Sequence, residues 1–324
     1  MGETLSDAAL RHSRASRPQG RWRQRGRRAS AGRQGLSASA AAGLLAPTHL
    51  LMLLTIVLPS AYVVWLSLQS STFGQAASWV GLANYRQVLG DSYFWRAMGN
   101  TLGIVLVVVH VELLLGLLMA LLFATRLPAK RLLLASVLAP YAVSEVSAVV
   151  IWRYLFEPEI GPVTLALNAL GLPGLEWSVS PIAGLAIVAL LSIWLHLPFT
   201  FVVLYAARLS VPSELHEAAR VDGATRLQTF LRVTLPLLRP AILVAMLFRY
   251  IFAFRLFSEV WLITGGGPAR STEVVGVYLY LEAFRYNAFG PAAATGWIMA
   301  LACLLLASGY LWRLRRGMVA DAAV

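Results

Sequence analysis

The chain has 324 residues, 58% of them hydrophobic and only 13% charged, with a mean hydropathy of +0.69. Soluble domains run nearer 45–50% apolar and about 25% charged, so a water-soluble fold could not hide this much apolar surface. The formal charge of +12 does not mark a nucleic-acid-binding face, because its arginines gather in one terminal stretch and in short gaps between apolar runs.

In chain order, residues 1–43 carry nine arginines among Ser, Ala, Gly and Gln, with Trp22 as the sole aromatic. Such a segment buries too little apolar area to offset its ordering entropy and reads as a disordered cytoplasmic tail. An RNA-binding arm and an anionic-lipid anchor are its sharper alternatives. No cleavable signal peptide is visible, since the first apolar segment begins near Leu44 and is long enough to span. A helix crossing a bilayer needs about 20 apolar residues. Six stretches qualify: Leu44–Leu68, Asn100–Ala124, Leu132–Phe156, Ile182–Ala207, Ala241–Thr264 and Ala292–Trp312. The expected fold is therefore an all-α membrane protein with about six transmembrane helices, a transmembrane domain over 44–316 and a short C-terminal tail over 317–324.

Alternate gaps differ sharply in charge. One side collects twenty basic residues, including the tail, Arg126, Lys130, Arg131 and the five arginines from Arg208 to Arg239; the other collects four. The positive-inside rule then places both termini in the cytoplasm of a multi-pass inner-membrane protein. Aromatic residues gather on the poorer side, at Trp79, Tyr85, Tyr93, Phe94 and Trp95, and again from Tyr278 to Tyr286. They read as an interfacial belt or as short helices that dock an external partner.

The loop over 209–240 is the most informative segment. Pro212 and Ser213 start a short helix, with Glu214 and Glu217 at the positive end of its dipole. Gly223 suits a left-handed terminus, and Thr225 with Gln228 has capping-box spacing for a second helix. Pro236 and Pro240 are expected to end that helix and turn the chain into the membrane. Ala218 and Ala219 keep one side narrow enough for another protein to approach.

Glu217-Ala218-Ala219, Gly223 four residues on, and Val233-x-Leu235-Pro236 after nine more resemble the EAA loop of ABC importer permeases. Asp222 and Ala224 extend this to the Asp-Gly-Ala form of carbohydrate permeases. Val80-Gly-Leu-Ala-Asn-Tyr85 and the run from Phe248 through Phe254-Arg-Leu-Phe257 to Thr264-Gly-Gly-Gly-Pro268 resemble the maltose-type and glycerol-phosphate-type members. The resemblance covers roughly Leu44 to Arg316. It implies a type I ABC importer permease fold in which Glu217, Ala218, Ala219, Asp222, Gly223, Ala224, Leu235 and Pro236 couple to an ATPase subunit. It also implies a second homologous permease, two ATPase subunits that bind ATP and magnesium, and an extracytoplasmic sugar-binding protein.

No P-loop is present: the only lysine, Lys130, has no glycine beside it, and Gly265–Gly267 reads as a flexible turn without a lysine. The one cysteine, Cys303, excludes an intrachain disulfide, and the five histidines show no metal-binding spacing. The chain is expected to be no enzyme and to hold no cofactor or metal of its own. Its surroundings are membrane lipid rather than nucleic acid.

Ionisable groups at membrane depth are costly and mark function or helix pairing. His110, Glu112, Glu145, His196, Arg249, Arg255 and Glu259 qualify. Arg249 falls about 14 Å beyond Pro240 at ~1.5 Å per residue, near the midplane. Glu112 and Glu145 are its possible partners, and Arg255 with Glu259 has the i,i+4 spacing of a helical pair. Arg249, Glu145, His196, Tyr250 and Phe254 are the candidate translocation-path residues, and Pro140 and Pro198 the expected kinks. The competing classes are an ion-coupled secondary transporter and an importer of a non-carbohydrate solute.

Overall fold

The computed structural model describes residues 38–321 except 173 and 175. Residues 1–37 of the expected 1–43 tail, and residues 322–324, lie outside them. The chain divides at Ala61 into two compact units. The described part of the first is helical: α1 (Ala38–Met52), a π turn (Leu53–Val57) and the start of α2 (Leu58–Ser67). These form one 25-residue apolar span, Gly43–Ser67, with almost all of its side chains exposed. Its helix begins at Ala38, inside the segment expected to be an unstructured tail. Residues 38–42 are Ala-Ser-Ala-Ala-Ala, good helix formers that extend the apolar run backwards.

The second unit opens with a two-stranded hairpin, β1 (Gln69–Ser70) antiparallel to β2 (Ser78–Trp79), and a short helix α3 (Ala83–Gly90). Asn84 ties the two together, donating to the carbonyls of Ser67 and Gln69 at 2.8 Å. The long helix α4 (Ser92–Phe123) follows. Asp91 caps it by accepting from the Tyr93 N–H, so it starts eight residues before the expected second span.

The third span is not one helix. α5 (Lys130–Leu138) runs into a 3₁₀ turn over Ala139–Ala142, and α6 (Glu145–Leu155) leaves it at 100°. Pro140 sits in that turn, but Val143 and Ser144 are extended and make the corner. The expected kink is thus a break. After α7 (Pro162–Ala169) comes α8 (Pro181–Leu209), which passes through Pro198 without interruption.

α9 (Ser213–Val221) and α10 (Arg226–Thr229) follow, then a π turn (Phe230–Thr234) and α11 (Leu235–Ala253). Helical conformation is continuous from Arg226 to Ala253, against the expectation that Pro236 and Pro240 would end the second loop helix. A proline lacks the N–H that an α-turn needs, and Pro236 falls in the first turn after the π segment, where the bonding pattern has already shifted. α12 (Ser258–Ile263), α13 (Val275–Tyr280), a second π turn (Leu281–Arg285) and α14 (Phe289–Asp321) complete the chain. α14 continues through 317–321, which were expected to be tail. Among the described residues five helices are long and apolar enough to cross a membrane, and the number is six when the bent pair is counted as one broken span.

α4 and α8 pack along their length, with α11 against both. Gly116 allows the approach: a Cβ there would lie 3.0 Å from Thr200 Cγ2 and 3.3 Å from the Phe201 backbone nitrogen. One buried cluster joins Val108, Ile187, Leu191 and Val260; another joins Phe94, Val105, Phe254 and Tyr278. The segment between α12 and α13 closes over the Ser92 end of α4. Asn100 donates to the carbonyls of Ser271 and Glu273 at 2.8 Å, and the Arg270 guanidinium lies 4.1 Å over the Tyr93 ring while bonding Glu273. Gly265 and Gly266 have positive φ, yet the Thr272 hydroxyl fastens the turn, donating to the Gly267 carbonyl at 2.7 Å and lying 2.8 Å from Thr264 Oγ1. It is a held corner rather than a flexible one.

Candidate functional site

Two places gather the polar residues. The first is a cavity of about 500 Å³ among α6, α8, α11 and α12. Arg249 on α11 lies in its wall and is 3% exposed. Its guanidinium grips Glu112 of α4 with two parallel bonds, Nε to Oε2 at 2.5 Å and a terminal nitrogen to Oε1 at 2.8 Å. Glu112 is fully buried. A bidentate pair of this kind satisfies both ions where water is absent, and it fixes α11 against α4.

Glu145, in the first turn of α6, lines the same cavity and does not pair with Arg249. His196 on α8 reaches Glu259 of α12 at 3.9 Å. Glu259 cannot take the expected i,i+4 partner Arg255, because α11 ends at Ala253 and the chain turns through Phe254–Phe257 before α12 begins. Arg255 enters the cavity wall without an ion-pair partner among the described residues. Two carboxylates, two arginines and an imidazole therefore face one space.

Two expected path residues lie elsewhere. Phe254 is buried in the cluster with Phe94 and Tyr278, because the end of α11 turns it toward α4. Tyr250, one position from Arg249 and so about 100° around the helix, packs edge-on against His110 and Tyr310. Ser192 and Phe199 are cavity residues that sequence reading missed. With His196 they form an i, i+4, i+7 stripe on α8, a pattern the sequence does contain. Tyr141 also lines the cavity, but only the broken third span places it there.

The second place is the α9–α10 pair. On α9 and the turn that follows it, Glu217, Ala218, Asp222 and Gly223 are all exposed, and Val221 is 87% exposed. Ala219, Ala224 and Leu235 are half-buried and Pro236 is exposed. Gly223 has φ +75° and ends α9 in the left-handed conformation, with open space where a side chain would stand. Thr225 and Gln228 form the expected reciprocal cap, Gln228 Oε1 accepting from the Thr225 N–H at 2.8 Å. His216 meets Thr234 at 3.1 Å and holds α9 to the start of the next span. An exposed pair so rigidly built, with apolar Val221 at its tip, has the form of a docking knob.

Apolar helices around a charged cavity, with an exposed knob beside them, are the parts a membrane transport subunit needs. Residues 112–316 match the family described as binding-protein-dependent transport system inner membrane component. The sulfoquinovosyl glycerol transport system permease SmoG of Agrobacterium fabrum is 35% identical over 274 residues, covering 83% of this chain and 88% of that one. The trehalose/maltose transport system permease MalF of Thermococcus litoralis is 33% identical, covering 82% of this chain and 89% of its own. A crystal structure of a bacterial ABC transporter that imports the acidic polysaccharide alginate contains a chain of the same fold, with a TM-score of 0.75 at 24% identity over 85% of this chain and 94% of that one. The chain belongs to the binding-protein-dependent transport family. It is an inner-membrane permease component, a transport subunit whose ATPase is a separate chain.

Proposed function

We propose that this subunit carries a sugar or sugar-like polyol into the cell by alternating access, driven by ATP bound to partner subunits. The observation that carries the reading is the exposed α9–α10 pair with Gly223 in the left-handed conformation at its apex. Glu217, Ala218, Ala219, Asp222, Gly223 and Ala224 contact the ATPase, while Leu235 and Pro236 begin the span that receives the displacement. Because the helix is continuous from Arg226 to Ala253, motion of the knob is delivered to Arg249 and the cavity wall through one rigid element. Nucleotide then biases a two-state arrangement of the bundle.

A sugar substrate is supported by relatives named for sulfoquinovosyl glycerol and for trehalose and maltose. The cavity suits it chemically, because Glu145, Glu259 and Arg255 offer acceptors and donors to hydroxyl groups, and Tyr141, Phe199 and Phe257 offer ring faces. A six-span chain is half of a pathway, which a second, homologous permease completes. Two ATPase subunits and an extracytoplasmic binding protein finish the assembly, and both termini of this chain lie in the cytoplasm.

The test is co-purification in mild detergent, wild type against Gly223→Asp. Aspartate meets no neighbour at this exposed turn, and the positive φ strains it by only about 1–2 kcal/mol, so the variant is expected to keep its fold while changing the docking surface. Wild type is expected to retain an ATPase and a second permease, and the variant to lose the ATPase. A wild-type chain that purifies alone and whose uptake stops with an ionophore rather than with ATP depletion would overturn the proposal.

A further inference from the structure

Behind the exposed pair lies a separate cavity of about 330 Å³, bounded by the ends of α4 and α8. Three arginines line it: Arg208 from the last turn of α8, Arg220 from the last turn of α9 and Arg226 from the start of α10. His216 and Thr229 add polar groups, Leu121 and Phe230 form an apolar side, and no lining residue is acidic.

The arginines are short of partners. Arg208 and Arg226 make no hydrogen bond or ion pair among the described residues, and Arg208 Nε is fully buried. Arg220 has only Glu217, at 3.9 Å, with both side chains largely exposed. A buried guanidinium nitrogen without an acceptor is costly, and three cations around one space repel. What would offset both terms is a ligand rich in acceptor oxygens. The planar donor fork of arginine matches phosphate in particular. The volume is that of a small-ligand site, and its apolar side at Leu121 lies where the apolar helix α4 gives way to the polar loop.

We infer that this cavity binds a phosphate-bearing anion, the headgroup of an anionic phospholipid or a soluble phosphate compound, and that the anion ties the α9–α10 pair to α8. The arginines come from both sides of the joint between the knob and the bundle, so an occupied site stiffens that joint. The site is distinct from the polar cavity among α6, α8, α11 and α12, and its binding can be read without transport.

The full-length chain, purified in mild detergent with the subunits it retains, is titrated separately with short-chain phosphatidylglycerol, short-chain phosphatidylcholine and inorganic phosphate. Tm is the readout. Phosphatidylglycerol or phosphate is expected to raise Tm saturably, phosphatidylcholine is not, and Arg208→Gln is expected to weaken half-saturation about tenfold or more through loss of charge-assisted bonds. Arg226→Gln, at an exposed position, is expected to act in the same direction and guards against a misfolded Arg208 variant. A response to phosphatidylglycerol without one to phosphate assigns the lipid source; a response to phosphate itself assigns the soluble one. The proposal is overturned if no probe shifts Tm, if both lipids act equally, or if both variants keep the wild-type half-saturation. It is also overturned if Arg208→Gln sheds a co-purifying subunit with its anion response intact, which would give these arginines to a partner's carboxylate.

Discussion

Arg249 shows how one side chain serves architecture and cavity together. Its bond pair to Glu112 is buried at 3% and 0% exposure, so neither ion can be solvated if its partner is removed. Glu112→Gln or Arg249→Gln is expected to cost about 3–5 kcal/mol, seen as a lower Tm and yield in detergent. Glu112→Leu combined with Arg249→Met is expected to recover most of that loss, because the paired apolar replacement leaves no stranded charge. Transport by the recovered double variant then reports on the cavity wall alone: lost uptake in a stable protein assigns Arg249 to the path, and unchanged uptake confines the pair to joining α4 and α11.

At the scale of elements, helices in lipid gain nothing from hiding apolar surface from water and depend on close packing instead. The α4–α8 contact meets this through Gly116, whose absent side chain lets Thr200 and the Phe201 backbone approach. Gly116→Leu is expected to force the two helices apart at a cost of about 1–3 kcal/mol, read as a fall in Tm. Gly103→Ala on the same helix is the control. It meets nothing within 4 Å, and it should leave Tm unchanged or raise it slightly by improving helix propensity. Equal loss from both substitutions would show that the close α4–α8 approach at Gly116 is not what the glycine serves.

At the scale of the whole molecule, basic-rich and basic-poor gaps alternate between the apolar runs of the sequence, twenty basic residues in one set and four in the other. If the positive side is cytoplasmic, the α9–α10 pair faces the cytoplasm and the β1–β2 hairpin faces outward. In a Cys303→Ser background, Phe73→Cys is expected to react with a membrane-impermeant maleimide in intact cells, and Glu214→Cys only after permeabilisation. Both positions are exposed, so labelling depends on the side and not on burial. The reverse pattern would invert the topology and remove the ATPase-facing role of the pair.

Span number and the helix pair were legible because each rests on local chemistry: apolar run length, and a glycine with capping residues around it. The resemblance of Glu217–Pro236 to the importer loop drew on the same local pattern, and so did the i, i+4, i+7 stripe of Ser192, His196 and Phe199, which went unread. Partner choice was not legible. Glu112 and Glu145 were equal candidates for Arg249 until the rotation of α4, α6 and α11 about their axes chose Glu112. Arg255 and Glu259 looked like a helical pair until the chain left α11 at Ala253. The 100° break in the third span and the passage of the fifth through Pro236 and Pro240 likewise depend on what surrounds them. A sequence specifies which residues a helix carries. Which way they face, and where a helix bends, follows from packing between segments more than a hundred residues apart, as Glu112 and Arg249 are.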